Sequence, residues 1–290
     1  MNQAPVELSL DDVERYLSED IGSGDLTADI VPASASARAE VVTREPMVLC
    51  GRAWFEAVFR QLDPAFEPVW FVEEGGEASA GQLLCEVEGS ARALLSGERT
   101  ALNLLQTLSG TATVARLYAR AVAGTGVKVL DTRKTLPGLR LAQKYAVRCG
   151  GCHNHRAGLY DAVLIKENHI AAAGSIGEAV AMARRLHPDV MVEVEVETFA
   201  ELEQALAAGA DRIMLDDFER NALSKAVAVT AGRAELEVSG NIDLDNIRAV
   251  AETGVDFVSV GGLTKHLKAV DLSMRIVFLG SCAGWQTGRG

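Results

Sequence analysis

Three short stretches hold most of the residues able to do chemistry: Asp-Thr-Arg-Lys-Thr at 131–135, Cys-Gly-Gly-Cys-His-Asn-His-Arg at 149–156 and Leu-Ile-Lys-Glu-Asn-His at 164–169. From 131 to 169, seven cations (Arg133, Lys134, Arg140, Lys144, Arg148, Arg156, Lys166) stand against three acids (Asp131, Asp161, Glu167), a balance of +4 in a chain of net charge −12. Arg forks and Lys ammoniums bind carboxylate and phosphate best, so this cationic island suggests a pocket for a small polyanion. Its plainer reading is a solvated charged face.

The elements that would position these residues are short β-branched runs: 127–131, 162–166, 190–195, 212–216, 236–239 and 257–261. Amphipathic helices are expected at 175–187, 198–208, 219–230, 243–253 and 266–277, with Thr198 and Asp243 as N-caps and Gly209, Gly232 and Gly254 as stops. Strand–helix alternation whose strand ends recur every 29, 21, 23 and 22 residues from Lys166 onward points to an α/β barrel. Active sites of such barrels gather at the strands' C-terminal ends. Those ends are Thr132-Arg133-Lys134, Lys166, Glu195, Asp216, Ser239-Gly240-Asn241 and Gly261-Gly262.

Several chemistries remain open at these positions. Lys166 follows Val-Leu-Ile and serves either as an anion clamp or as a Schiff-base nucleophile. Glu195 and Asp216 could hold Mg²⁺ or accept ribose hydroxyls. In the alternating run Glu193-Val-Glu195-Val-Glu197, Glu193 lies lower and is expected as an inner-layer acid paired with a lysine. His155, beside Arg156, could hydrogen-bond a substrate carboxylate. Cys149-Gly-Gly-Cys152-His153 resembles haem, zinc or redox motifs, but no second Cys-x-x-Cys exists and the five cysteines are scattered. Its glycines are better read as turning the backbone or admitting a close approach.

Ahead of the barrel, residues 9–21 read as a helix with Ser9 as N-cap, 37–50 as strands broken at Pro46, 51–62 as a helix and 66–89 as strands. A long helix follows over 96–123, placing Arg99 in its first turn, where a cation opposes the macrodipole. The composition, 48% apolar with pI near 5.0, supports a globular core and disfavours a broad nucleic-acid-binding face. No apolar run is long enough for a membrane helix and no export signal opens the chain, so a cytoplasmic protein is expected.

The motifs Ser-Gly-Glu-Arg-Thr-Ala-Leu-Asn, Asp-Thr-Arg-Lys-Thr-Leu-Pro-Gly-Leu-Arg, Asn-His-Arg, Leu-Ile-Lys-Glu-Asn-His-Ile, Glu-Val-Glu and Leu-Asp-Asp occur in order, with Asp25-Leu-Thr-Ala-Asp and Thr264-Lys-His flanking them. Together they resemble quinolinate phosphoribosyltransferase, the decarboxylating nicotinate-nucleotide pyrophosphorylase among the type II phosphoribosyltransferases. The resemblance implies an N-terminal α/β sandwich domain at 1–105, completed by the tail 275–290, and an incomplete seven-stranded α/β barrel at 106–274. It implies transfer of phosphoribosyl from 5-phosphoribosyl-1-pyrophosphate to quinolinate with Mg²⁺, in de novo NAD synthesis. Arg133, His155, Arg156 and Lys166 would bind the quinolinate carboxylates, and Lys134 would lie beside the pyrophosphate. Glu195 and Asp216 would hold ribose hydroxyls and Mg²⁺, directly or through water; Lys134, Lys166, Glu195 and Asp216 form the catalytic set. Thr132, Ser239, Gly240, Asn241, Val260, Gly261 and Gly262 would complete the substrate site, the last two loops cradling the 5-phosphate. Arg99 would reach the site of the partner subunit, which calls for a homodimer and allows a higher homo-oligomer. The alternatives are a paralogue acting on another aromatic acid and an aldolase using Lys166.

Overall fold

The computed structural model describes residues 10–279. Two compact units divide the chain, one formed by 1–110 with 268–290 and one by 111–267. In the first, α1 (Leu10–Ile21) buries Val13 and Leu17 one turn apart; Ser9, its expected cap, lies outside the described residues, as does Cys282. Then come β1 (Ser36–Thr43), β2 (Met47–Val48), α2 (Arg52–Leu62), β3 (Val69–Trp70), β4 (Glu77–Ala78), β5 (Leu83–Ser90) and α3 (Ala91–Ala121). Helical spacing puts Trp54, Phe55, Val58 and Phe59 of α2 on one buried face. Phe66 stacks on Phe59 at 4.6 Å between ring centroids. Each large side chain so buried contributes about 2 kcal/mol of transfer free energy.

Helix α3 starts at Ala91, not near Ser96. Arg99 therefore occupies the third turn, exposed, and the macrodipole argument for its special purpose lapses. The part of α3 from Thr111 onward belongs to the second unit.

That unit runs β6 (Lys128–Leu130), α4 (Arg140–Cys149), β7 (Val163–Ile165), α5 (Glu167–Ala173), α6 (Ile176–Leu186), β8 (Val192–Val196), α7 (Phe199–Ala207), β9 (Arg212–Asp216), α8 (Arg220–Thr230), β10 (Glu235–Ser239), α9 (Ile247–Ala251), β11 (Phe257–Ser259) and α10 (Gly262–Lys265). Six strands pair in parallel in the order β6-β11-β10-β9-β8-β7. A seventh parallel position is reduced to one bridge, Leu130 to His153, on the outer edge of β6. There the His153 N–H donates to Val129 O at 2.8 Å and the Asp131 N–H to His153 O at 3.0 Å. No ladder joins His153 to β7 among the described residues, so the barrel is incomplete, with six strands and a single bridge at the seventh position.

Side-chain alternation sorts the strands. Val192, Val194, Val196, Ile213, Leu215, Leu236 and Val238 are buried in a core with helix residues such as Leu202, Ala205, Leu223 and Ala226. The alternate set carries Glu193, Glu195, Arg212, Asp216, Glu237 and Ser239 to the other face. Thr198 caps α7 in a reciprocal box: its hydroxyl accepts the Glu201 N–H at 3.3 Å while the Glu201 carboxylate accepts the Thr198 N–H at 3.0 Å. Asp243 accepts the N–H groups of Asp245 and Asn246, but in a turn, and α9 begins only at Ile247.

The helix expected over 266–277 is absent. After α10 the chain becomes β12 (Leu272–Leu279), which pairs antiparallel with β1 in the first unit's sheet, ordered β12-β1-β5-β3. Leu272, Met274, Ile276 and Phe278 alternate, and the open edge of β1 turns that period of two into a strand.

Candidate active site

The cations that the sequence placed at the barrel rim divide into two groups. Lys166 ends β7, where its backbone N–H donates to His169 Nδ1 at 3.0 Å. Its ammonium contacts the carboxylate of Glu195, which projects from neighbouring β8. The Lys166 side chain is 42% exposed. A Schiff-base lysine instead requires desolvation away from carboxylates, so the aldolase alternative does not fit. Half-buried Arg156 anchors one guanidinium nitrogen on Ala162 O at 3.1 Å. Its proton affinity is lowered, first by burial and then by the guanidinium of Arg133, while Glu193 and Asp161 partly compensate. Arg133 Nε is buried without a hydrogen-bond partner. Two neighbouring guanidiniums with a buried unused donor form an under-neutralised site that favours an anion.

Lys144, counted in the same basic island, is structural. It is buried against fully buried Asp131, Nζ to Oδ1 at 2.5 Å, and also donates to His155 O at 2.9 Å. Asp131 accepts from Asn154 Nδ2 at 2.5 Å and from the His155 N–H at 2.9 Å. Burial raises the Asp131 pKa and lowers that of Lys144, each opposed by the other's charge. This pair clamps the segment carrying His155 and Arg156 onto the end of β6. Lys144→Met should cost about 3–5 kcal/mol of stability, because it leaves Asp131 buried without its cation. Urea unfolding monitored by fluorescence checks this; a loss under about 1 kcal/mol would contradict the clamp.

His155 lies beneath the rim rather than on it. Its Nδ1 accepts the Arg156 N–H at 2.7 Å. Its Nε2 is 2.9 Å from Glu193 Oε2 and 3.5 Å from Glu237 Oε2. Because Nδ1 accepts, the ring carries its proton on Nε2, and burial lowers its pKa in the same sense. Nδ1 is thus taken by the Arg156 backbone, while Nε2 faces the two carboxylates without meeting hydrogen-bond geometry. The contact expected between His155 and a substrate carboxylate is replaced by support of the Arg156 backbone. Glu193, expected to meet a lysine, meets this histidine instead. Burial pushes Glu193 up to about 7 and Glu237, in the same cluster, up to about 8. Sequence reading passed over Glu237. Its signal was an acid two residues before a strand-end Ser239, the relation that Glu193 bears to Glu195.

Opposite the cations stand the carboxylates and small loops. Asp216, half-buried, ends β9 in register with Ser239 of β10. Gly240 has φ +104° and would place a Cβ 2.0 Å from Asp217 Oδ1, so only glycine fits there. Asp217 and Asn241 are also left-handed, φ 51° and 47°, and Asn241 Nδ2 donates to Asp217 Oδ1 at 3.3 Å. These two loops hold each other. Exposed Lys134 lies against the last loop: a Cβ on Gly261 would be 3.0 Å from Lys134 Cδ, and the Thr264 hydroxyl donates to Lys134 O at 2.9 Å. Thr132 Oγ1 accepts the Lys134 N–H at 3.1 Å. Val260 is buried and Gly262 opens α10. The second unit thus brings Thr132, Arg133, Lys134, Arg156, Lys166, Glu195, Asp216 and both small-residue loops to the strands' C-terminal ends. Arg99 belongs to the first unit.

The Cys-Gly-Gly-Cys segment turns the chain. Cys152 is buried, its Sγ 3.1 Å from Ala115 O, and burial pushes its thiol up to about 12. Gly150 lies so near α3 that a Cβ would come within 2.4 Å of Ala112 O, and Gly151 has φ +96°.

Two family models match: the quinolinate phosphoribosyl transferase N-terminal domain over residues 25–109 and its C-terminal domain over 111–275. A nicotinate-nucleotide pyrophosphorylase structure from Francisella tularensis superposes with a TM-score of 0.91 at 47% identity, covering 95% of this chain and 100% of that one. A nicotinate-nucleotide pyrophosphorylase (carboxylating) of Mycobacterium leprae is 40% identical over 94% of this chain and 99% of its own length. A quinolinate phosphoribosyltransferase (decarboxylating) of Nicotiana tabacum is 37% identical over 91% of this chain and 81% of its own. Among the described residues no helix is long and apolar enough to cross a membrane.

Proposed function

The chain belongs to the quinolinate phosphoribosyltransferase family, and from this we infer that its barrel joins quinolinate to 5-phosphoribosyl-1-pyrophosphate in NAD biosynthesis. The products are nicotinate mononucleotide, pyrophosphate and CO₂. The observation that carries the site assignment is the buried, unpartnered Arg133 Nε beside Arg156. Arg133, Arg156 and Lys166 hold the two carboxylates of quinolinate. Lys134, Thr132 and the loops Ser239-Gly240-Asn241 and Val260-Gly261-Gly262 hold the phosphates of the donor. Glu195 and Asp216 accept the ribose hydroxyls. Their all-oxygen donor set also fits Mg²⁺, which would neutralise charge on the pyrophosphate as it leaves.

Two polyanions must approach each other, and the cationic rim offsets their repulsion. As the ring nitrogen bonds to the anomeric carbon and the anomeric C–O bond breaks to release intact pyrophosphate, positive charge develops on the ribose, where Glu195 and Asp216 stabilise it. The carboxyl next to the ring nitrogen then leaves as CO₂. Its electron pair remains on the ring carbon, which takes a proton, and Arg133 and Lys166 stabilise that charge. Arg99 of one subunit completes the site of the other in a homodimer, an arrangement that extends to higher homo-oligomers. The protein works in the cytoplasm.

The test is pyrophosphate and CO₂ release from quinolinate with Mg²⁺, compared with nicotinate. One-to-one release with quinolinate and none after chelation of Mg²⁺ is expected; a preference for nicotinate would reassign the substrate.

A further inference from the structure

Below the rim, His155, Glu193 of β8 and Glu237 of β10 are buried together, their polar atoms within 4.8 Å of one another. Hydrogen-bond geometry leaves all four carboxylate oxygens and His155 Nε2 without a well-aligned partner. Arg212, held over the Phe257 ring at 3.9 Å, reaches Glu237 Oε2 at 3.6 Å, within ion-pair range. Two acids in this position are costly to bury, by several kcal/mol if left uncompensated. His155 Nε2 lies 2.9 Å from Glu193 and 3.5 Å from Glu237, and Arg212 also faces Glu237. A tetrahedral metal ion bridging these atoms would hold its ligands about 3.3 Å apart at bond lengths near 2 Å, whereas Nε2 approaches Glu193 Oε2 to 2.9 Å, within the N–H···O distance range.

The histidine is fixed from every other side. Its N–H donates to Asp131, its C=O accepts from Lys144, and its Nδ1 takes the Arg156 N–H. Ring orientation therefore decides where the Arg156 backbone begins, and with it where the guanidinium reaches. We propose that Glu237, with Glu193, is a positioning residue of the carboxylate-binding site: it holds the His155 imidazole from beneath so that Nδ1 fixes Arg156 at the rim. The assignment rests on the role given to Arg156 above. Glu237 is the informative member, because Glu193 lies two residues from Glu195 and any change there disturbs both.

Steady-state kinetics of the whole enzyme separate this relay from a merely structural role. Glu237→Leu should raise KM for quinolinate about tenfold while KM for the phosphoribosyl donor stays within about twofold, since a displaced anchor costs binding only where it touches. In an Arg156→Ala background the same substitution should add less than about twofold, because a residue acting through another has no effect once that one is gone. Should the leucine variant not fold, isosteric Glu237→Gln carries the test with an expected one-sided rise of about threefold. Equal rises in both KM values, no rise, or full additivity with Arg156→Ala would each overturn the relay, as would one equivalent of tightly bound transition metal in purified wild type. Wild type is assayed first. If it does not consume quinolinate, the substrate assignment has failed; if it does and the variants show no one-sided rise, the positioning role has.

Discussion

Lys166→Ala lowers kcat/KM for quinolinate about a hundredfold while shifting the melting temperature by no more than a few degrees. Lys166 is the one rim cation whose partner, Glu195, is itself assigned to the other substrate, so its loss is felt twice. A unit charge about 4 Å from a carboxylate is worth roughly 4 kcal/mol at an effective dielectric of 20. Because the Lys166 side chain is 42% exposed, solvent screening reduces this toward about 2–3 kcal/mol, or roughly thirtyfold to a hundredfold. The remainder comes from charge on the ring carbon during CO₂ loss, a state in which a fixed cation counts for more than in the ground state. The effect should therefore appear in kcat as well as KM. A variant with raised KM and unchanged kcat would show that Lys166 only holds the substrate. Stability is nearly unaffected because no fully buried group loses its partner, in contrast to Lys144→Met.

That contrast marks how much of the site was legible in the sequence. A lysine after Val-Leu-Ile at a strand end, or an arginine after Asp-Thr, announces itself because barrel geometry sends strand-end side chains to one rim. The regular spacing of the apolar runs fixed the strand ends, and the assignments of Lys166, Glu195 and Asp216 followed from them. Charge alone could not separate Arg133 from Lys144. Both belong to one basic island, yet one keeps a buried unused nitrogen and the other is spent on Asp131. Lys144 lies on α4, and which residue a helix aims at a strand is decided by packing across eleven or more positions of chain. The helix expected at 266–277 failed for the same reason: its second half, which allows either period, became part of a strand because β1 offered an edge. Glu237 was missed because an acid within an apolar run reads as a flaw in the pattern until its neighbours across the sheet are known. Glu193 and His155 supply the context, and neither is near it in sequence.

Mixing two inactive variants, Arg99→Ala and Lys166→Ala, restores activity. Arg99 is exposed in the third turn of α3. An exposed arginine amid Gly-Glu-Arg-Thr has no local duty, and the proposed duty is in the site of a second copy. If each dimer site takes Lys166 from one subunit and Arg99 from the other, a mixed dimer holds one site with both residues intact and one lacking both. Random exchange makes half of all dimers mixed, so about one quarter of wild-type activity returns. Recovery must depend on exchange: crosslinking each variant before mixing should abolish it, and dilution below the dimer dissociation constant should reduce its extent. If Arg99 acted within its own chain, every subunit in the mixture would carry one defect and no ratio of the two would regain activity. Subunit exchange shown independently, for instance by energy transfer between labelled copies, with activity still absent would rule out the shared site. The quarter is itself diagnostic, since partial recovery well above it would require that one of the two variants was never inactive alone.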